Sequence, residues 1–128
     1  MVYSHKDASF GGTDIYTRVN DELIIGSAKL QKIEYAFWQG KLMSANIDVI
    51  GSNNWAGLRD ATFQRFGTGN QNNRYIEKYY WVGNTTKMLL SYNEIAKTGF
   101  LYIVSTDVSD EAKAWEKKKA QEGAQRGF

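Results

Sequence analysis

Cysteine and proline are both absent from this 128-residue chain. Without cysteine there is no disulfide, no thiolate metal site and no thiol nucleophile. Without proline, the turns fall to the 12 glycines and to asparagine. Histidine is reduced to His5, which lies in a polar, glycine-rich opening, residues 1–13, that reads as a loose lead-in. A histidine base needs fixed geometry and a zinc site needs several ligands, so no metal and no cofactor are expected. No apolar run approaches the roughly 18 residues of a membrane-spanning helix. The start MVYSHKDASFGG also lacks the basic-then-apolar layout of a signal peptide. An excess of one charge is missing too: 16 basic and 14 acidic side chains leave a net charge of +2. So even a balance argues against a dedicated nucleic-acid binder, and none is expected.

Aromatic residues are plentiful: four Trp, eight Tyr and six Phe. The aliphatic residues are too few to form a core alone, so most of these rings belong inside. In DIYTRV (14–19), Ile15, Thr17 and Val19 alternate with Tyr16 and Arg18, as in a short strand, and 20–22 turn the chain. The clearest element spans residues 26–51. Ile33, Tyr35 and Phe37 face one way, with Lys32, Glu34 and Ala36 opposite. After Gln39-Gly40 the alternation resumes as Met43, Ala45, Ile47 and Val49 against Ser44, Asn46 and Asp48. Two such runs joined by a short glycine-containing link predict a β-hairpin with one buried face.

The period then changes. Trp55, Leu58, Thr62 and Phe66 recur three or four apart, predicting an amphipathic helix capped by Ser52 or Asn53 and ended by Gly67. Strands are predicted over 74–82, 85–92 and about 99–105. In the last, both faces are apolar: Phe100, Tyr102 and Val104 on one, Leu101 and Ile103 on the other. Residues 107–128 read as a helix capped by Asp107 or Ser109, docked at its first two turns through Val108 and Trp115, with a frayed or projecting end. Acids early and lysines late match its dipole. The reading is one α+β domain over 1–128: a single antiparallel sheet of five to six strands, one central packing helix and a C-terminal helix.

Little in the chain carries chemistry. Glu34 and Asp48 share the polar face of the hairpin, where Lys32 or Lys41 can neutralise them, a solvated face rather than an acid/base pair. Residues 107–111, DVSDE, lack the glycine and distal glutamate of a calcium loop. Gly67-Thr68-Gly69 follows a helix and leads into a strand, the wrong order for a phosphate loop. Asn84-Thr85-Thr86 meets the glycosylation sequon, which matters only in a eukaryotic secretory pathway. Lys113, Lys117, Lys118, Lys119 and Arg126 are interrupted by Glu116 and Glu122 and make a solvated helix end.

The aromatic strands remain. Tyr75, Tyr79 and Trp81 fall on one face of their strand; Tyr80 and Val82 share the other with Ile76 and Lys78. Tyr92 adds a ring beside Met88 and Leu90. An open sheet bearing such rings can stack planar ligands or form an apolar groove. The candidate ligand or partner surface is therefore Tyr79, Tyr80, Trp81, Tyr92 and Tyr102.

The stretches GSAKLQKIEYAFWQGKL (Gly26–Leu42), the rings around Tyr80 and Trp81, then LLSY and GFLYIVS, resemble a set of small uncharacterised bacterial proteins. The resemblance covers residues 23–106. These relatives carry an export or lipoprotein signal, which implies the periplasm or cell envelope. They have no assigned activity, so no site residue follows from the likeness. They also carry an N-terminal segment with a Trp-Gly pair before the first strand; its absence here implies a trimmed domain with an altered sheet edge. The functional expectation is a non-enzymatic binding or interaction module for a protein, peptide or small apolar ligand. The alternatives are an oligomerisation domain, such as a homodimer through a sheet edge, and, behind it, a small hydrolase using a carboxylate pair without a recognisable motif.

Overall fold

The computed structural model describes residues 2–18 and 23–126. In chain order it contains β1 (Val2–Asp7), a 3-10 turn (Ser9–Gly11), β2 (Thr13–Arg18), β3 (Ile24–Ile25), β4 (Ala28–Lys29), β5 (Lys32–Trp38) and β6 (Lys41–Ile50). There follow α1 (Ser52–Phe66), β7 (Lys78–Val82), β8 (Thr86–Asn93), β9 (Thr98–Ser105) and α2 (Thr106–Arg126). Seven strands form one sheet in the order β1-β2-β5-β6-β9-β8-β7, and β3 and β4 form a separate two-stranded ribbon. All these pairings are antiparallel. The α+β class with an antiparallel sheet is as expected, but the strands outnumber the five to six predicted.

The expected hairpin is β5–β6. Gln39 and Gly40 both take positive φ (48° and 76°), the two-residue turn whose twist matches its strands. One detail differs. Ala36 pairs with Ser44 but Phe37 pairs with Leu42, so Met43 is an extra residue in a bulge. Leu42, rather than Met43, therefore stands opposite Phe37.

Residues expected to be a loose lead-in instead form β1 and its turn; Met1 lies outside the described residues. All six residues of β1 are exposed, so no alternation marks it. The backbone ladder to β2 and the ring of Tyr3 against Tyr16 (5.3 Å) hold it in place. Val19 and the turn expected at 20–22 lie outside the described residues.

One face of the sheet carries the core. Tyr79, Leu90, Leu101, Ile47 and Ile33 pair across five strands in a single row, and all are buried. Over that row lies α1, with Trp55 and Leu58 inserted and the β3–β4 ribbon adding Leu23, Ala28 and Leu30. The ribbon is tied down by Asn54, whose Oδ1 accepts the Lys29 amide proton (3.0 Å) while its Nδ2 donates to the Ile50 carbonyl (2.9 Å). The N-cap position of α1 is Gly51, with no side-chain cap, so neither Ser52 nor Asn53 serves as predicted. Gly67 does follow the last turn, and its N–H donates to the Phe63 carbonyl (2.8 Å).

The predicted strand 74–82 is shorter. Asn73 turns the chain, its Oδ1 accepting from the Tyr75 amide (2.9 Å) and its carbonyl from Ile76 (3.0 Å), and β7 begins only at Lys78. Tyr75 is left exposed.

On the opposite face α2 covers one end of the sheet. Its first turn is capped by Ser105, whose Oγ accepts from the Val108 amide (3.3 Å), rather than by Asp107 or Ser109. Ala112 is fully buried, and Trp115 sets its ring edge-on to Trp38 (6.5 Å) and close against Gly11, where no β-carbon would fit. Lys41 pairs with Glu111 (2.6 Å). Docking thus reaches the third turn, and beyond it the helix stays regular to Arg126, projecting rather than frayed over the described residues; 127–128 lie outside them. Among the described residues no helix is long and apolar enough to cross a membrane.

Candidate functional site

The register places the five rings of the candidate surface on two faces. Tyr79, Trp81 and Tyr92 share the α1 side; Tyr80 and Tyr102 share the α2 side, linked through Leu89. They do not form one site.

On the α1 side two of the three are committed to the core. Tyr92 stacks on Trp55 (5.1 Å between centroids, 16° between planes). Tyr79 is buried with its ring edge-on to Phe63 (4.9 Å). Its hydroxyl donates to Glu77 Oε2 (2.9 Å), and that carboxylate also faces Arg59 Nη1 (3.7 Å). Burial first, then the hydrogen bond and charge of Glu77, push the Tyr79 phenol above its usual 10.0, against the pull of Arg59 and Gln71. Because the folded value is raised, this group's contribution to stability is complete below pH 10.0 and is lost as pH climbs through the folded value. The phenolate absorbance lost in Tyr79→Phe relative to wild type should therefore develop above that pH; a component titrating at or below it would contradict the buried geometry.

Trp81 is different. Its indole N–H donates to the Gly67 carbonyl (3.2 Å), Phe63 meets it edge-on (6.0 Å), and Gly69 lies so close that a β-carbon there would come within 2.8 Å of the ring. One side of the ring is thus held, and the other opens on a trough. The row through Trp81 crosses all seven strands: Trp81, Met88, Ile103, Ala45, Tyr35, Tyr16 and Tyr3 pair in sequence. At its Trp81 end a hollow of about 380 Å³ is floored by Met88 and Ile103 and walled by Phe66, Trp81 and Val82, with Thr86 at its side. A second hollow of about 160 Å³ shares Thr86 and Ile103 and reaches Leu42, Met43 and Ala45. Thr86 and Ile103 line both hollows, and the small side chain of Ala45 stands between Tyr35 and Ile103 in the row. No charged side chain lines either hollow.

Of the expected surface, only Trp81 lines this trough. Phe66, Met88, Ile103 and the Leu42–Ala45 segment were not foreseen. Strand parity marks Met88 and Ile103 as same-face residues, but nothing local shows that their strands adjoin Trp81.

The remaining chemistry-bearing residues are dispersed. His5 is exposed on β1, its Nδ1 2.9 Å from Ser4 Oγ. Lys32 bridges Glu34 (2.8 Å) and Asp48 (4.0 Å); the hydrogen bond and then the charge of Glu34 raise its pKa, burial opposes them, and Asp48 adds the smallest push upward. Asn84 sits in the exposed β7–β8 turn. Among the described residues no group of three or more His, Cys, Asp or Glu side chains is placed to hold a metal ion.

The two edges of the sheet are unlike. The free side of β7 is closed by Asn70, which exchanges two backbone hydrogen bonds with Tyr80 (2.8 and 3.0 Å). The outer edge of β1 carries no such partner among the described residues and exposes Val2 and Tyr3. No family model, curated protein or solved structure matches this chain, so the likeness to small exported bacterial proteins gains nothing from comparison.

Proposed function

We propose that this chain is a non-catalytic binding module that holds a small apolar guest in the trough beside Trp81. The observation that carries this reading is a hollow of about 380 Å³ with an apolar floor and an aromatic wall, formed where α1 ends at Phe66 over Met88 and Ile103. Its volume falls in the range of small-molecule sites, which are mostly apolar and largely preformed. Its lining includes no titratable side chain, so the trough holds no group for general acid–base chemistry.

The uncharged fluorophore N-phenyl-1-naphthylamine tests it. Its emission should rise on addition of the protein, with energy transfer from tryptophan that Trp81→Phe reduces. Ile103→Lys puts a charge on the floor and Phe66→Ser removes an exposed wall; each should weaken uptake by about tenfold or more, the worth of a buried aliphatic contact. Uptake that is absent, or equal in wild type and Ile103→Lys, would overturn the assignment. A dimer in sedimentation, without uptake, would move the working surface to the open edge of β1.

A further inference from the structure

The sheet face opposite the trough carries a second surface, distinct in chemistry. α2 lies over the end bearing Trp38 and Lys41, and the middle of the face keeps partial exposure at Glu34, Asn46, Tyr102 and Leu89. There, Glu34, Asn46, Tyr102, Leu89 and Tyr80 pair in one row across five strands, all of them half-buried. Tyr80 and Tyr102 are two strands apart, so their backbones are about 10 Å from each other. The next row adds Lys32, Asp48 and Phe100.

Tyr80 is oriented: its hydroxyl donates to Asn72 Oδ1 (2.9 Å), and its backbone is clamped by Asn70. Beside the ring is a hollow of about 120 Å³ lined by Asn72, Asn73, Ile76 and Lys78. At the other end of the row the polar groups are linked. Asn46 Nδ2 donates to Asp48 Oδ1 (3.0 Å), and Lys32 sits between Glu34 and Asp48. Each of these carboxylates still has acceptor capacity toward solvent.

An occupant of this face has to meet two rings about 10 Å apart, with Leu89 between them, and hydrogen-bonding groups beyond the rings at both ends of the row. It also has to be uncharged, because in these two rows Lys32 and Lys78 balance Glu34 and Asp48. A nucleic acid would bring phosphates against Glu34 and Asp48. An apolar peptide would cover those carboxylates without pairing them. Sugar rings satisfy both demands: their C–H faces stack on aromatic rings, while their hydroxyls donate to carboxylates and accept from amides and ammonium groups. We propose that the face bearing Tyr80 and Tyr102 binds a neutral oligosaccharide, one sugar ring on each tyrosine, with Asn72 and Asn73 at one end and Glu34 and Asn46 at the other. This site is separate from the trough and does not depend on it.

The test is calorimetric titration of the full chain with cellohexaose, chitohexaose and maltohexaose, alongside oligothymidylate. At least one hexaose should bind at millimolar concentration or below. Tyr80→Ala at the edge and Tyr102→Thr, which keeps a strand-forming residue in the centre, should each weaken it by about tenfold, the scale of losing one ring-stacking contact. Tyr102→Phe should retain binding, and Trp81→Phe, on the other face, should leave it unchanged. Three results would overturn the proposal: no hexaose bound at millimolar concentration, binding indifferent to both tyrosine variants, or oligothymidylate bound in preference.

Discussion

Trp55→Ala should lower the free energy of unfolding by about 3–5 kcal/mol, the range for removing a buried aromatic side chain. Trp55 enters the core from the first turn of α1 and is only 3% exposed. Beneath it the sheet presents the row Tyr92, Gly99 and Val49. The indole stacks on Tyr92, and a β-carbon on Gly99 would come within 2.7 Å of Trp55 Cε3. Gly99 is the seat of this ring, so once the indole is gone the residue directly below has no side chain to move up into the space. That absence of a fallback places the expected loss at the high end. Urea denaturation measures it as a lower midpoint at unchanged slope. A loss under about 1 kcal/mol would mean that α1 is not clamped to the sheet through this residue. The complementary double variant, Trp55→Leu with Gly99→Ala, should couple favourably by at least about 0.5 kcal/mol, as residues in contact do.

Gly57→Ala sets two effects of opposite sign against each other. In an exposed helix this change stabilises by about 1 kcal/mol, because glycine loses more backbone freedom on folding. Here the new β-carbon would stand 2.6 Å from Ser27 Oγ, 2.9 Å from Ala28 N and 3.2 Å from Ala28 Cα. The serine hydroxyl can rotate away; the backbone of Ala28 cannot, because that residue is fully buried and its ribbon is pinned by Asn54. Overpacking against a fixed neighbour costs about 1–3 kcal/mol, which exceeds the propensity gain. The expected outcome is a lower melting temperature, with faster hydrogen exchange in residues 23–30. A raised melting temperature would show that the β3–β4 ribbon does not rest on this face of α1.

Much of the fold is legible in particular residues. The Ile33/Tyr35 and Ile47/Val49 alternation marks β5 and β6, the Trp55-to-Phe66 spacing marks α1, and the two apolar faces of 99–105 mark a central strand. What escaped has identifiable causes. β1 buries no residue, so periodicity has nothing to report. The ring-rich run from Tyr75 to Trp81 reads as one strand, but Asn73 and Asn70 capture its neighbours in turn and bridge hydrogen bonds, and pairing with β8 begins only at Lys78. The cap of α2 was misplaced by two or more residues because Ser105 ends a strand and begins a helix at once.

The candidate site divides in the same way. That Tyr79 and Trp81 face one way and Tyr80 the other follows from two-residue periodicity, and so is written in the chain. Which of them is core and which is surface is not. Tyr79 and Trp81 have the same parity, yet Phe63 and the row of Leu90 and Leu101 bury one, while the other stands where α1 runs out.

The sequence by itself determined the β5–β6 hairpin, α1, β9 and α2, the faces of their residues and the absence of thiol chemistry, because those depend on residue type and on spacing over a few positions. Only the tertiary structure decided that β9 lies between β6 and β8, joining Trp81, Ile103 and Ala45 in one row. Only it decided where each helix stops on its face. Both outcomes rest on pairing and docking between segments tens of residues apart, which a local pattern of apolar and polar residues does not encode.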